Sequence, residues 1–85
     1  MTQTPRINIS CPGDTIADLL EERGMSQADL ARKMNRPAKT INELIKGKAR
    51  LTEDTALQLE RVFKVPAEFW VTREANYRLN LKRIF

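Results

Sequence analysis

An all-α domain of five short helices is the fold class that this 85-residue chain predicts. Three observations carry it. Apolar residues recur at three- and four-residue spacing in successive stretches, side chains able to cap a helix stand ahead of most of them, and Gly or Asn closes the first three. The length suits a single domain with one small core, placed at about residues 12–79 between a short N-terminal arm and a C-terminal tail.

The arm, residues 1–12, is polar with a brief alternation of Ile7, Ile9 and Cys11, which fits a short strand or an extended segment. Asp14 can cap a first helix from Thr15 to about Arg23. Ile16, Leu19, Leu20 and Arg23 share one face of it, and Gly24 supplies a left-handed stop. Ser26 and Asp29 resemble a capping box for a second helix, Gln27 to about Met34, with Leu30, Ala31 and Met34 inward and Asn35 as its stop. Pro37 opens a third helix to about Lys46, since a missing N–H is no loss at a helix start. Ile41, Leu44 and Ile45 form its buried stripe, and Gly47 ends it.

Thr52 can cap a fourth helix, Glu53 to about Phe63, whose Glu53 and Asp54 favour the positive end of the helix dipole. Ala56, Leu59, Val62 and Phe63 point inward. Pro66 starts a fifth helix that runs to about Tyr77, and Leu79 to Phe85 form a short basic, partly apolar end.

The absences narrow the function. The chain has no His, which removes His general bases, Ser-His-Asp and Cys-His catalysis and His-containing metal sites. Cys11 is the only cysteine, so no intrachain disulfide and no Cys-rich zinc site can form. No cofactor is expected, and the chain reads as a non-enzyme. No apolar run approaches the ~18 residues that a membrane helix needs, and no signal-peptide h-region is present, so the cytoplasm is the expected location and no membrane partner is expected.

Charge gives the positive lead. The net charge is +4, but residues 32–50 hold Arg32, Lys33, Arg36, Lys39, Lys46, Lys48 and Arg50 against the single acid Glu43. The rest of the chain is mildly acidic. A basic segment on an acidic body is the footprint of a polyanion binder, although lysines and arginines also furnish ordinary solvated surface.

Two short helices joined by a tight turn, the second one basic, describe a helix-turn-helix, here helices two and three. Small Ala31 lets the pair cross closely, and Ile41 and Leu44 lock the third helix to the core. Ala38, Lys39, Asn42, Glu43 and Lys46 remain on its outer face, which fits a major groove about 12 Å wide. Lys39 can donate to guanine, Ala38 can meet a thymine methyl, Asn42 can bond base edges or phosphate, and Glu43 can accept from cytosine or repel phosphate. Gln27 at the start of the second helix can hold a phosphate, and Arg36, Lys48 and Arg50 flank the third helix to grip backbone oxygens.

The segments Gly24-Met-Ser-Gln-Ala-Asp-Leu-Ala-Arg-Lys-Met and Thr40-Ile-Asn-Glu-Leu-Ile-Lys-Gly-Lys resemble the lambda-repressor/Cro-like, or XRE-type, DNA-binding domain. One branch, the HigA-type antitoxins also described as VapI-like, adds three marks. Its His-Pro-Gly-Glu start resembles Cys11 to Asp14, its Thr-Pro-Asp-Thr-Ala-Leu helix resembles Thr52 to Leu59, and its Phe-Trp segment with a following Asn-Tyr resembles Pro66 to Leu79. The resemblance covers about residues 11–79. Cys11 stands where the branch usually has His, and Arg36 and Pro37 where it often has Val and Ser.

The resemblance implies a five-helix lambda-repressor-like domain that binds double-stranded DNA as a homodimer on a palindromic operator. It further implies an antitoxin that neutralises a small HigB-like ribonuclease toxin and represses its own operon. The DNA-binding set is then Gln27, Arg36, Ala38, Lys39, Thr40, Asn42, Glu43, Lys46, Lys48 and Arg50. Phe69, Trp70, Tyr77 and Leu79 are the candidates for dimer or partner contact, with core packing the commoner use of such aromatics. Leu81, Ile84 and Phe85 can extend that contact or fold back. The alternatives are a stand-alone phage- or plasmid-type repressor and a protein-interaction module without DNA binding.

Overall fold

A computed structural model describes residues 10–84. Five helices follow one another: α1 (Pro12–Arg23), α2 (Gln27–Met34), α3 (Ala38–Ile45), α4 (Glu53–Phe63) and α5 (Ala67–Ile84). No strand occurs among the described residues, and the expected alternation of Ile7 and Ile9 lies outside them. No described helix is long and apolar enough to cross a membrane.

The helix ends repeat one device. Gly24, Asn35 and Gly47 each adopt a left-handed φ, and each is followed by a residue whose N–H reaches back across the last turn: Met25 to Leu20, Arg36 to Ala31, and Lys48 to Glu43. These are Schellman closures, which satisfy carbonyls that a helix end leaves bare. Lys64 closes α4 in the left-handed region with a single bond to Glu60. Successive helices therefore turn sharply with loops of only a few residues.

The helix starts are equally local. Ser26 Oγ accepts from the Asp29 N–H at 3.0 Å, and Asp29 accepts from the Ser26 N–H at 3.1 Å, completing the capping box. Thr52 Oγ1 accepts from the Thr55 N–H. The residues just outside these caps, Met25 and Leu51, pack on the core, as do Leu30 and Ala56 four places inside. Those are the positions of a hydrophobic staple.

Pro37 and Pro66, read as the openings of the third and fifth helices, stand one residue ahead of their first helical residues, Ala38 and Ala67, and two further boundaries differ by more than a residue. Asp14 is not the cap of α1. The helix starts at Pro12 with Cys11 as its cap residue, and Asp14, one turn in, accepts from the Cys11 N–H at 3.2 Å and the Ser10 hydroxyl at 3.1 Å. Pro at the first helical position and an acid in the first turn serve the same end from different places. The segment after Tyr77 is not a separate tail. α5 continues to Ile84, because nothing in residues 67–84 is a Gly or Pro, and Glu74 pairs with Arg78 one turn on at 2.6 Å.

The core joins all five helices. Ile16, Leu20, Leu30, Ala31, Met34, Ile41, Leu44, Leu51, Ala56, Leu59, Phe63 and Trp70 form one buried cluster. Trp70 and Phe63 are its largest members, with ring centroids 6.3 Å apart. Arg23 ties the ends of α1 and α4 together, donating to the Phe63 carbonyl at 2.7 Å while its guanidinium lies over the Phe63 ring.

Candidate nucleic-acid interface

α2 and α3 sit against each other across the Asn35–Pro37 turn. Ala31, Met34, Ile41 and Leu44 are buried between them and the body. The turn residues that depart from the common pattern are accommodated. Arg36 uses its backbone N–H to close α2, and its side chain is half-buried along the turn. Pro37 supplies no capping side chain, but its carbonyl accepts from the Thr40 N–H at 3.0 Å and the Ile41 N–H at 3.3 Å.

The outer face of α3 carries the residues that the sequence singled out. Ala38, Lys39 and Lys46 are exposed, and Thr40, Asn42 and Glu43 are half-buried at its flanks. Gln27, the first residue of α2, is drawn to this face: Asn42 Nδ2 donates to Gln27 Oε1 at 3.3 Å. Lys48 and Arg50 project from the α3–α4 loop, both exposed. Among the described residues of the basic window only Arg32 is ion-paired, with Asp29. That pairing takes one positive charge off α2 and leaves those of α3 and its exit loop unbalanced.

Asp29 itself is held below the ordinary aspartate range, first by the Ser26 backbone N–H, then by the Ser26 hydroxyl and by Arg32. It stays ionised near neutral pH and keeps the start of α2 in place beside Gln27.

The far end of α3 is set by residues that carry no polar contact with the outer face. Gly13 lies against the last turn of α3, where a Cβ would collide with the carbonyl oxygens of Leu44 and Ile45. The Cys11 thiol faces the Ile45 carbonyl at 3.8 Å. Gly47, at φ 77°, leaves room for the Tyr77 hydroxyl and Cys11 Sγ, which a Cβ would meet at 3.1 and 3.2 Å. Arg78 Nη2 donates to the Ala49 carbonyl at 3.4 Å. Arg73 Nη2 donates to Ser10 Oγ, the Cys11 carbonyl and Thr15 Oγ1 at 2.8–3.0 Å, fixing the start of α1 on α5. α1 and α5 thus clamp the exit of α3. Sequence reasoning met Gly13 only as part of the Cys11 to Asp14 resemblance, without its packing role, and missed Arg73 and Arg78, because tertiary approach alone gives the three their role.

The four residues assigned to dimer or partner contact part company. Trp70 has none of its surface exposed, which withdraws it: a side chain inside the core cannot meet a second chain. Tyr77 is half-buried with its hydroxyl toward Gly47. Phe69 and Leu79 remain open, 39% and 48% exposed, and Leu57, Val71 and Ile84 join them as exposed apolar side chains. Phe85 lies outside the described residues.

This arrangement of helices is shared with known proteins. A family model described as "Helix-turn-helix" matches residues 16–70. Among solved structures, the antitoxin HigA of Pseudomonas aeruginosa with the higBA promoter superposes with a TM-score of 0.84 at 29% identity, over 88% of this chain and 83% of that one. The uncharacterised HTH-type transcriptional regulator YddM of Escherichia coli K12 is 32% identical over 68 residues, 80% of this chain and 72% of that protein. Virulence-associated protein A of Dichelobacter nodosus is 31% identical over 62 residues, 72% of this chain but only 61% of that protein. With five helices, no strand among its described residues and a family match across α1 to the start of α5, the chain belongs to the helix-turn-helix family.

Proposed function

We propose that the chain is a DNA-binding antitoxin that represses its own operon and neutralises a small ribonuclease toxin. The observation that carries the DNA half is the outer face of α3 with its exit loop, where Lys39, Lys46, Lys48 and Arg50 stand exposed without acidic partners among the described residues. Such a face attracts phosphate and fits one major groove. A two-fold dimer would set two copies of α3 in successive grooves, about 34 Å apart, on a palindromic operator. Phosphate contacts from Gln27, Arg36, Lys48 and Arg50 would position it, and Lys39, Asn42 and their neighbours would read bases.

The antitoxin half is supported by the likeness to HigA. Co-expression with the adjacent open reading frame tests it. A stable complex that relieves growth arrest is the expected result. No partner and no toxicity would leave a stand-alone transcriptional repressor.

A further inference from the structure

We infer that Lys82, in the last turn of α5, makes a phosphate contact of its own and extends the DNA surface of α3 and its exit loop onto the last helix; the inference rests on the DNA-binding reading above. Residues 75–85 hold Arg78, Lys82 and Arg83 and no acid. Lys82 and Arg83 are exposed, and neither is ion-paired among the described residues. Cations at the end of a helix also favour the negative end of its dipole. Their place on the molecule decides what else they do.

Tyr77 and Arg78 fix that place. The Tyr77 hydroxyl borders Gly47, and Arg78 Nη2 donates to the Ala49 carbonyl at 3.4 Å. Ala49 lies between Lys48 and Arg50, so this turn of α5 is laid against the loop that carries two exposed cations. Arg78 brings no unbalanced charge, because Glu74 pairs with it at 2.6 Å. Its part is to dock the helix.

Residues four apart share a helix face, which puts Lys82 on the side of Arg78, one turn and about 6 Å farther along the axis. That step is shorter than the ~10 Å Debye length at 0.1 M salt, so the Lys82 charge adds to the potential of the loop. Duplex DNA carries a phosphate about every 3.4 Å of axis on each strand, so a backbone held by Lys48 and Arg50 presents further phosphates within the same step. Arg83, five positions from Arg78, turns to a different side of α5. Lys82 is therefore the cation of this helix that continues the basic surface.

Salt titrations of Lys82→Gln, Lys82→Arg and Arg61→Gln on promoter duplex test this. Arg61 is the matched control: it is an exposed cation in the last turn of α4. It stands at the end that Arg23 ties to α1, about 15 Å along α1 from where Gly13 meets α3. For the proposed dimer, Lys82→Gln should make the slope of log affinity against log salt shallower by about 1.8. The wild type's advantage over it should then shrink about tenfold between about 50 and 200 mM salt. Lys82→Arg should restore the slope, and Arg61→Gln should leave it unchanged. A methylphosphonate scan should find a phosphate in each half-site whose neutralisation weakens the wild type and leaves Lys82→Gln unaffected. A steep wild-type slope that Lys82→Gln does not alter overturns the inference alone. A slope that falls together with a loss of dimer, seen by sedimentation, assigns Lys82 to a contact between chains and also overturns it. A wild-type slope near zero overturns the DNA-binding reading and this inference with it.

Discussion

The helix pair α2–α3 and the helix pair α4–α5 solve different problems with different chemistry. α2 and α3 are eight residues each. Helices that short are marginal alone, and here they depend on capping bonds, left-handed closures and a few small or branched apolar residues. α4 and α5 are 11 and 18 residues long and bury Phe63 and Trp70, the largest side chains in the core. The body supplies the burial, and the reading pair spends its surface on polar groups. A small domain can present a polar helix outward only because another part of it carries the apolar weight.

Breaking the body should have the largest effect. Trp70→Ala removes a fully buried indole and should cost about 3–5 kcal/mol, whereas Phe69→Ala, at a position 39% exposed, should cost markedly less. Denaturant unfolding of the two variants checks the contrast. Equal losses would show that the α4–α5 junction, not the buried ring, holds the body together.

The clamp between the two regions comes next. Gly13→Ala places a methyl against the Leu44 and Ile45 carbonyls and should cost about 1–3 kcal/mol. Because the strain falls on the exit of α3, operator affinity at a temperature where the variant is fully folded should drop as well. Unchanged affinity would mean that α3 keeps its place without the close approach.

The reading pair should respond more mildly and more locally. Ser26→Ala removes the hydroxyl that accepts from the Asp29 N–H and should cost about 1 kcal/mol by thermal or denaturant melting. The smallest effect is that of acid on Asp29. Its folded pKa lies below the ordinary value, so its ionised form stabilises the fold above the unfolded pKa, and that contribution is lost as pH falls through the usual carboxylate range toward the folded value. Asp29→Asn should therefore flatten part of the decline in Tm between neutral and acid pH. Parallel wild-type and variant curves would show that the bond to Ser26 adds nothing measurable.

These contrasts also explain what the sequence made legible. The limits of α2 and α4 were readable because local chemistry sets both ends, with Ser26 and Asn35 around one and Thr52 before the other. The start of α1 was misplaced because Asp14 is a better cap residue by type than Cys11, while Pro12 marked the true first turn. The length of α5 was underestimated because a basic, mixed segment resembles a tail, although it contains no residue that stops a helix. Within the candidate interface, exposed lysines followed from charge and periodicity. The contributions of Gly13, Arg73 and Arg78 did not, since each acts on a segment more than 28 residues away in the chain. Trp70 shows the limit of reading a surface from residue type: neighbouring aromatics on one helix point to opposite fates, one buried and one open.

The central claim is that the face of α3 binds a polyanion by neutralising phosphates. The most direct test is the salt dependence of binding to duplex DNA from the promoter region of the chain's own operon. With ~8 phosphates neutralised by the proposed dimer, the logarithm of the association constant should fall with the logarithm of salt concentration at a slope of about −7. A slope near zero would contradict the account.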